Sequence, residues 1–137
     1  MIETQERIRA QRVADNDRMD FLPSKLPGKF LQFEGATYDQ LRGLTRDYAG
    51  GYWDFYDLTN GGFFIAPHGA GEYAVNVASN GYHGTMSHEA AGITASLYAL
   101  NAMCWKYHEE RYNELYHHLR DFALEHAEAA AILGAID

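Results

Sequence analysis

Apolar positions are sparse at the start of the chain. From about residue 3 to 16 only Ile8, Val13 and alanines interrupt a polar run, which predicts a weakly amphipathic or frayed helix. Apolar side chains return at Met19, Phe21 and Leu22; Pro23 is expected to end regular structure, and Pro27-Gly28 reads as a turn. Between residues 38 and 48, Leu41, Leu44 and Tyr48 recur at helical spacing, and Gly50-Gly51 stops that helix. The pattern then changes. Residues 52–59 are dense in aromatics and predict a strand. Asn60-Gly61 reads as a type I′ hairpin turn, with both central residues at positive φ. Residues 62–66 return as a second strand, and His68-Gly69-Ala70-Gly71 marks a second turn. Residues 72–78 alternate, with Tyr73, Val75 and Val77 on one face. Asn80-Gly81 turns again into a short strand at 82–86. Together these predict an antiparallel meander. Ser87 is the expected N-cap of a helix whose stripe runs Ile93, Leu97, Leu100, Cys104, Tyr107, steps that only a helix aligns. A further helix carries Tyr112, Leu115, Leu119 and Phe122, and a last one spans about 127–136. Strands in the middle with helices on either side give an α+β fold: one compact domain, a small antiparallel meander packed by several helices. Residues 1–17 form its weakly ordered or helical N-terminal segment.

Composition adds bounds to that picture. The 137 residues are 47% hydrophobic and 14% aromatic, enough for one core without disulfides or metal. One cysteine permits no internal disulfide, which fits a reducing compartment. The N-terminus lacks the apolar run of a signal peptide, and no stretch of ~18 apolar residues is present. The cytoplasm is the expected location, with no membrane partner. The net charge is −8, from 19 acidic and 11 basic side chains, and the basic residues are scattered. Such a surface repels phosphates, so no direct nucleic-acid binding is expected.

The chemistry-bearing residues do not assemble into a known catalytic or metal motif. The seven histidines include two His-Glu pairs, but Gly92 and Tyr112 stand where a zincin's second histidine would be. His117 and His118 are adjacent and point to different sides of a helix. Cys104 lies on an apolar helix stripe, the place of a small buried hydrophobe. No nucleophile elbow or phosphate-binding loop is present. No catalytic residue, metal ligand or cofactor is therefore assigned. The aromatic segment is the most informative. Tyr52 and Tyr56 share one face of the predicted strand, Trp53 and Phe55 the other. Either helices cover both faces, or one face exposes aromatics to a partner. Asp54 and Asp57 lie among these rings, where a single-strand-binding sheet would carry basic residues. A protein partner is the better match.

Several stretches resemble the ArdB/KlcA antirestriction family. They are Arg18-Met19-Asp20-Phe21-Leu22-Pro23; Gly50-Gly51-Tyr52-Trp53 through Asn60-Gly61-Gly62-Phe63 to Ala66-Pro67; Asn80-Gly81-Tyr82 with Ser87 and Ala90-Ala91-Gly92-Ile93; and Leu119-Arg120-Asp121-Phe122-Ala123 through Glu128-Ala129-Ala130-Ala131-Ile132 to Ile136-Asp137. Residues 1–17 and 103–116 match poorly. The resemblance implies a family-specific α+β fold and a protein of plasmids or other mobile elements. It implies inhibition of type I restriction-modification, and a partnership, direct or indirect, with that complex. The family supplies no catalytic residues to carry over. Within the matching stretches, Arg18, Tyr52, Trp53 and Tyr56 are the candidate partner-binding residues.

Two other functions remain open at this point: an acidic DNA mimic, and a small enzyme of unknown type. A mimic spanning ~40 Å at one charge per ~1.7 Å would need about twenty-four acidic charges on one surface. The chain has 19 in all, interspersed with basic residues. Inhibition through protein contacts is the expected mode, without enzymatic activity.

Overall fold

The computed structural model describes residues 7–137. In chain order it contains β1 (Ala10–Arg12), a 3₁₀ turn (Asp15–Asp17), α1 (Arg18–Lys25), α2 (Phe30–Leu44), β2 (Trp53–Leu58), β3 (Phe63–Pro67), β4 (Glu72–Val77), β5 (Tyr82–Ser87), α3 (His88–Tyr107), α4 (Glu110–Glu125) and α5 (Ala129–Ile136). The α+β class is as expected. No helix among the described residues is long and apolar enough to cross a membrane.

α3 is the axis of the fold. Ser87 caps it, its Oγ accepting the Ala90 N–H at 3.1 Å. From Ala90 to Leu97 every side chain is buried, so this half is enclosed on all sides by α2, β3, α4 and α5. Ile93, Leu97 and Leu100 are fully buried, while Cys104 and Tyr107 are half-buried toward the helix end. Two small residues let α3 lie directly on β3. A Cβ at Gly92 would fall 2.3 Å from the Ala66 Cβ, so only glycine fits that crossing. The Ser96 hydroxyl accepts from the Ile65 N–H and donates to the Ile65 carbonyl, each at 3.2 Å, closing the outer edge of β3.

The strands depart from the expected meander. β1, β2 and β3 form one antiparallel sheet; β4 and β5 form another. β3 and β4 do not pair, because the 68–71 loop carries the chain from one sheet to the other, with Gly69 and Gly71 at φ 129° and 121°. The predicted N-terminal helix is also corrected. Residues 3–6 of it lie outside the described residues, and Ala10–Arg12 is an edge strand paired with Tyr56–Leu58. Its three exposed residues carry no apolar periodicity, and only the neighbouring strand specifies it. Pro23 does not end regular structure. α1 continues to Lys25, held by the burial of Leu22 and Leu26, which offsets the one hydrogen bond the proline removes. α2 starts earlier and stops earlier than predicted, burying Phe33, Thr37, Leu41 and Leu44. At the β2–β3 hairpin only Gly61 has positive φ, at 93°. Gly61 N–H bonds the Leu58 carbonyl and Leu58 N–H bonds the Gly62 carbonyl, a three-residue loop with a glycine bulge in place of type I′.

Candidate functional site

The aromatic strand β2 resolves into buried and exposed members. Trp53 is 3% exposed. Its indole N–H donates to the Tyr48 hydroxyl at 2.9 Å, and its ring lies against Tyr38 and Tyr48. Phe55, Phe63 and Phe64 are buried with it. Trp53 is thus a core anchor, which removes it from any exposed contact surface. Tyr56 is half-buried and stacks on Phe64 at 4.6 Å. Burial first, then the nearby Asp54 and Glu89 carboxylates, push its pKa above the ordinary phenol value, so it presents a neutral hydroxyl.

Arg18 and Tyr52 are brought together. Arg18 opens α1, and its guanidinium lies between the Tyr52 and Phe55 rings, 4.4 and 4.1 Å from their centroids. Its Nη1 donates to the Trp53 carbonyl at 2.7 Å, fixing the plane. Tyr52 remains 50% exposed and Met19, the next residue along α1, is 88% exposed. The Tyr52 hydroxyl donates to Asp15 at 3.3 Å and its ring meets the His68 ring edge-on. The result is a half-exposed tyrosine stacked on an arginine that a hydrogen bond holds in place, with an exposed methionine next to that arginine in sequence. Tyr56 shares the Tyr52 side of the strand by alternation, but it stacks on Phe64 while Tyr52 stacks on Arg18, and Trp53 is buried, so the four candidates do not form one cluster.

The same side of the strand holds a polar arrangement next to Tyr52. Asp54 is buried, at 5% exposure, although its place among the rings suggested a surface charge. Arg12 Nε donates to its Oδ1 at 3.1 Å, and His68 Nδ1 lies 2.9 Å from its Oδ2. The Asp54 hydrogen bond is the main reason Arg12 has a raised pKa. Arg12, Asp54 and His68 were not legible as a set, since the separations in sequence are 42 and 14 residues. Asp54 thus orients an exposed imidazole. Two clefts lie elsewhere, one of about 760 Å³ between the end of α2 and the β4–β5 ribbon, another of about 400 Å³ between the ends of α3 and α4.

A second polar cluster ties α3 to the α4–α5 link. His126 Nε2 lies 2.6 Å from Glu89, its Nδ1 accepts the Glu128 N–H at 2.9 Å, and the Glu128 carboxylate accepts from the Ser87 N–H and hydroxyl. These bonds hold the α3 N-terminus in place. Among the described residues no group of three or more His, Cys, Asp or Glu could hold a metal ion. The Cys104 thiol is pushed up by burial, away from the thiolate that nucleophilic chemistry needs.

Comparison with known proteins places this architecture. A family model described as antirestriction protein matches residues 46–137. An antirestriction protein KlcA of Escherichia coli is 43% identical, over 95% of this chain and 94% of that protein. A second KlcA of Escherichia coli is 40% identical over 95% of each chain. A solved structure from work on KlcA and ArdB superposes with a TM-score of 0.91 at 39% identity, covering 100% of both chains. Those two proteins are described as having a novel fold and antirestriction activity against type I DNA restriction systems in vivo but not in vitro.

Proposed function

The chain belongs to the antirestriction protein family, and on that premise we propose that it relieves type I restriction inside the cell through contact with protein. Residues 1–137 act as one antirestriction domain in the cytoplasm. It works neither by catalysis nor by imitating DNA. The observation that carries this reading is the distribution of charge. Several of the 19 acidic side chains are engaged internally: Asp54 with Arg12 and His68, Asp57 with Lys25, Glu89 with His126, and Asp137 with Arg120. Too few remain to reproduce a duplex charge spacing of ~1.7 Å along one surface. Activity of the relatives in vivo but not in vitro speaks against a groove-filling mimic, which would act on purified enzyme, and by the same reasoning favours a cellular factor over the restriction complex as the direct partner.

The contact surface in this reading is Tyr52 with Met19 and Arg18, and secondarily the Tyr56 hydroxyl. A rigid, half-exposed aromatic beside a stacked arginine has the chemistry of an interface anchor. Its partner is the restriction complex itself or a cellular factor that governs it. The test is the plating of unmodified phage on cells carrying a type I system, with and without the protein. Restored plating is expected; unchanged plating at verified expression would refute the proposal.

A further inference from the structure

Sheet edges are where a small α+β protein most easily takes on another chain. In this fold, β3's outer edge is closed by Ser96 of α3. β5 packs on α5, where Tyr82 lies so near Gly134 that a Cβ there would be 3.1 Å from the ring. β4 has β5 on one side and, among the described residues, no strand on the other.

The register shows which backbone groups face outward. The Ala74 N–H points away from β5, because it donates to the Asp47 carboxylate at 2.8 Å. By antiparallel alternation Glu72 and Asn76 present their N–H and C=O groups on the same side. That side opens on the cleft of about 760 Å³, lined across from β4 by Arg42, Arg46 and Asp47. A strand added to β4 would lie ~4.8 Å away, inside this cleft. Charge selects the occupant. In a chain of net charge −8 the wall facing β4 carries Arg46 and Arg42, the latter exchangeably paired with the exposed Asp39 at 3.0 Å, and the one acid in the wall is already committed to Ala74. Asp47 stands where the carbonyl of a third strand would be, a stand-in for the missing partner that also guards the edge.

We propose that the outer edge of β4 docks an extended, acidic peptide segment of a partner protein, which adds to the β4–β5 ribbon as a third strand. The peptide backbone bonds Asn76 and the Ala74 carbonyl, and its acidic side chains meet Arg42 and Arg46. This surface is made by the end of α2, the segment that follows it and β4, and does not involve the Tyr52 patch.

The test uses fluorescence polarisation of a labelled heptapeptide of alternating Glu and Val against the full chain. Controls are the Lys-Val counterpart and the acidic peptide with alternate amides N-methylated. Saturable binding of the acidic peptide alone is expected. Asn76→Pro removes only an outward-facing donor, which an edge strand tolerates, and should weaken binding about threefold to tenfold for the lost hydrogen bond. Arg42→Glu with Arg46→Glu should weaken it further, and Asp47→Ala should tighten it. Absence of saturable binding to both wild type and Asp47→Ala would overturn the proposal. So would equal binding of the Lys-Val or N-methylated peptide. Concentration-dependent dimerisation abolished by Asn76→Pro would instead make a second copy the occupant. Phage protection by the wild-type chain is read separately, so loss of this proposal leaves the antirestriction reading standing.

Discussion

Gly92→Ala is the sharpest probe of how the fold is assembled. At this position α3 crosses β3 so closely that an added Cβ would lie 2.3 Å from the Ala66 Cβ, 2.4 Å from its Cα and 2.6 Å from the Ile65 carbonyl oxygen. Carbon atoms in good contact sit ~3.5–4.0 Å apart, so the helix or the strand must retreat by more than 1 Å, roughly. Two of the three obstructing atoms are backbone and cannot swing aside. Overpacking of this kind costs about 1–3 kcal/mol. The retreat also strains the two Ser96–Ile65 hydrogen bonds, each contributing about 0.5–1.5 kcal/mol. Alanine's helix propensity returns about 1 kcal/mol. The net is a loss of about 3 kcal/mol, or a fall in Tm of roughly 10 °C for a domain of this size. Gly35→Ala supplies the control. It sits within α2, and a Cβ there meets nothing within 4 Å. It should gain about 0.5–1 kcal/mol and raise Tm by a few degrees. Thermal unfolding followed by far-ultraviolet circular dichroism reads both. A Gly92→Ala protein as stable as wild type would refute the close α3–β3 contact.

Leu97→Ala, at a fully buried position on α3, should cost about 2–5 kcal/mol in urea unfolding; an unchanged midpoint would place the helix face wrongly. Asp54→Asn should destabilise by about 1–3 kcal/mol, because it weakens the bonds to Arg12 and His68 while keeping the side chain's size. A neutral result would mean that Asp54 is a surface charge after all. Alkaline stability is the fourth. Burial first, and then Glu34, push the Tyr38 phenol from its ordinary value of 10.0 up to about 12. A raised folded-state pKa means its contribution is complete below pH 10.0 and is lost as pH rises toward about 12. Tyr38→Phe should therefore lose less stability than wild type between about pH 8 and about pH 11 in urea titrations, and an equal loss would contradict the shift.

Much of this architecture is written locally. The i, i+3, i+4 stripe at Ile93, Leu97 and Leu100 and the alternation at Tyr73, Val75 and Val77 each bury one face of one element, so periodicity alone finds them. What escaped depends on residues far apart in sequence. β1 is a strand only because β2 offers it backbone partners. The break between β3 and β4 is made by the 68–71 loop, whose glycines read equally well in sequence as a hairpin turn or as a crossing between sheets. The aromatic segment stands out in the sequence, yet its rings sort into core and surface only through the cover that α2 and the Tyr48 region give Trp53. Asp54 illustrates the limit: a carboxylate beside tyrosines reads as exposed until a distant arginine and histidine are found to satisfy it.

The central claim, that protection from type I restriction runs through an apolar protein contact, is tested most directly by phage plating with two variants matched for expression and Tm. In the first, Met19→Ala with Tyr52→Ala, the exposed patch is removed and the core left intact. The second, Glu114→Lys with Asp121→Lys, reverses charge at exposed positions two turns apart on one face of α4. Unmodified phage are expected to be restricted again in cells carrying the first variant and to stay protected from restriction in cells carrying the second. Protection kept by the first and lost by the second would contradict it and establish an electrostatic, DNA-like mode of inhibition.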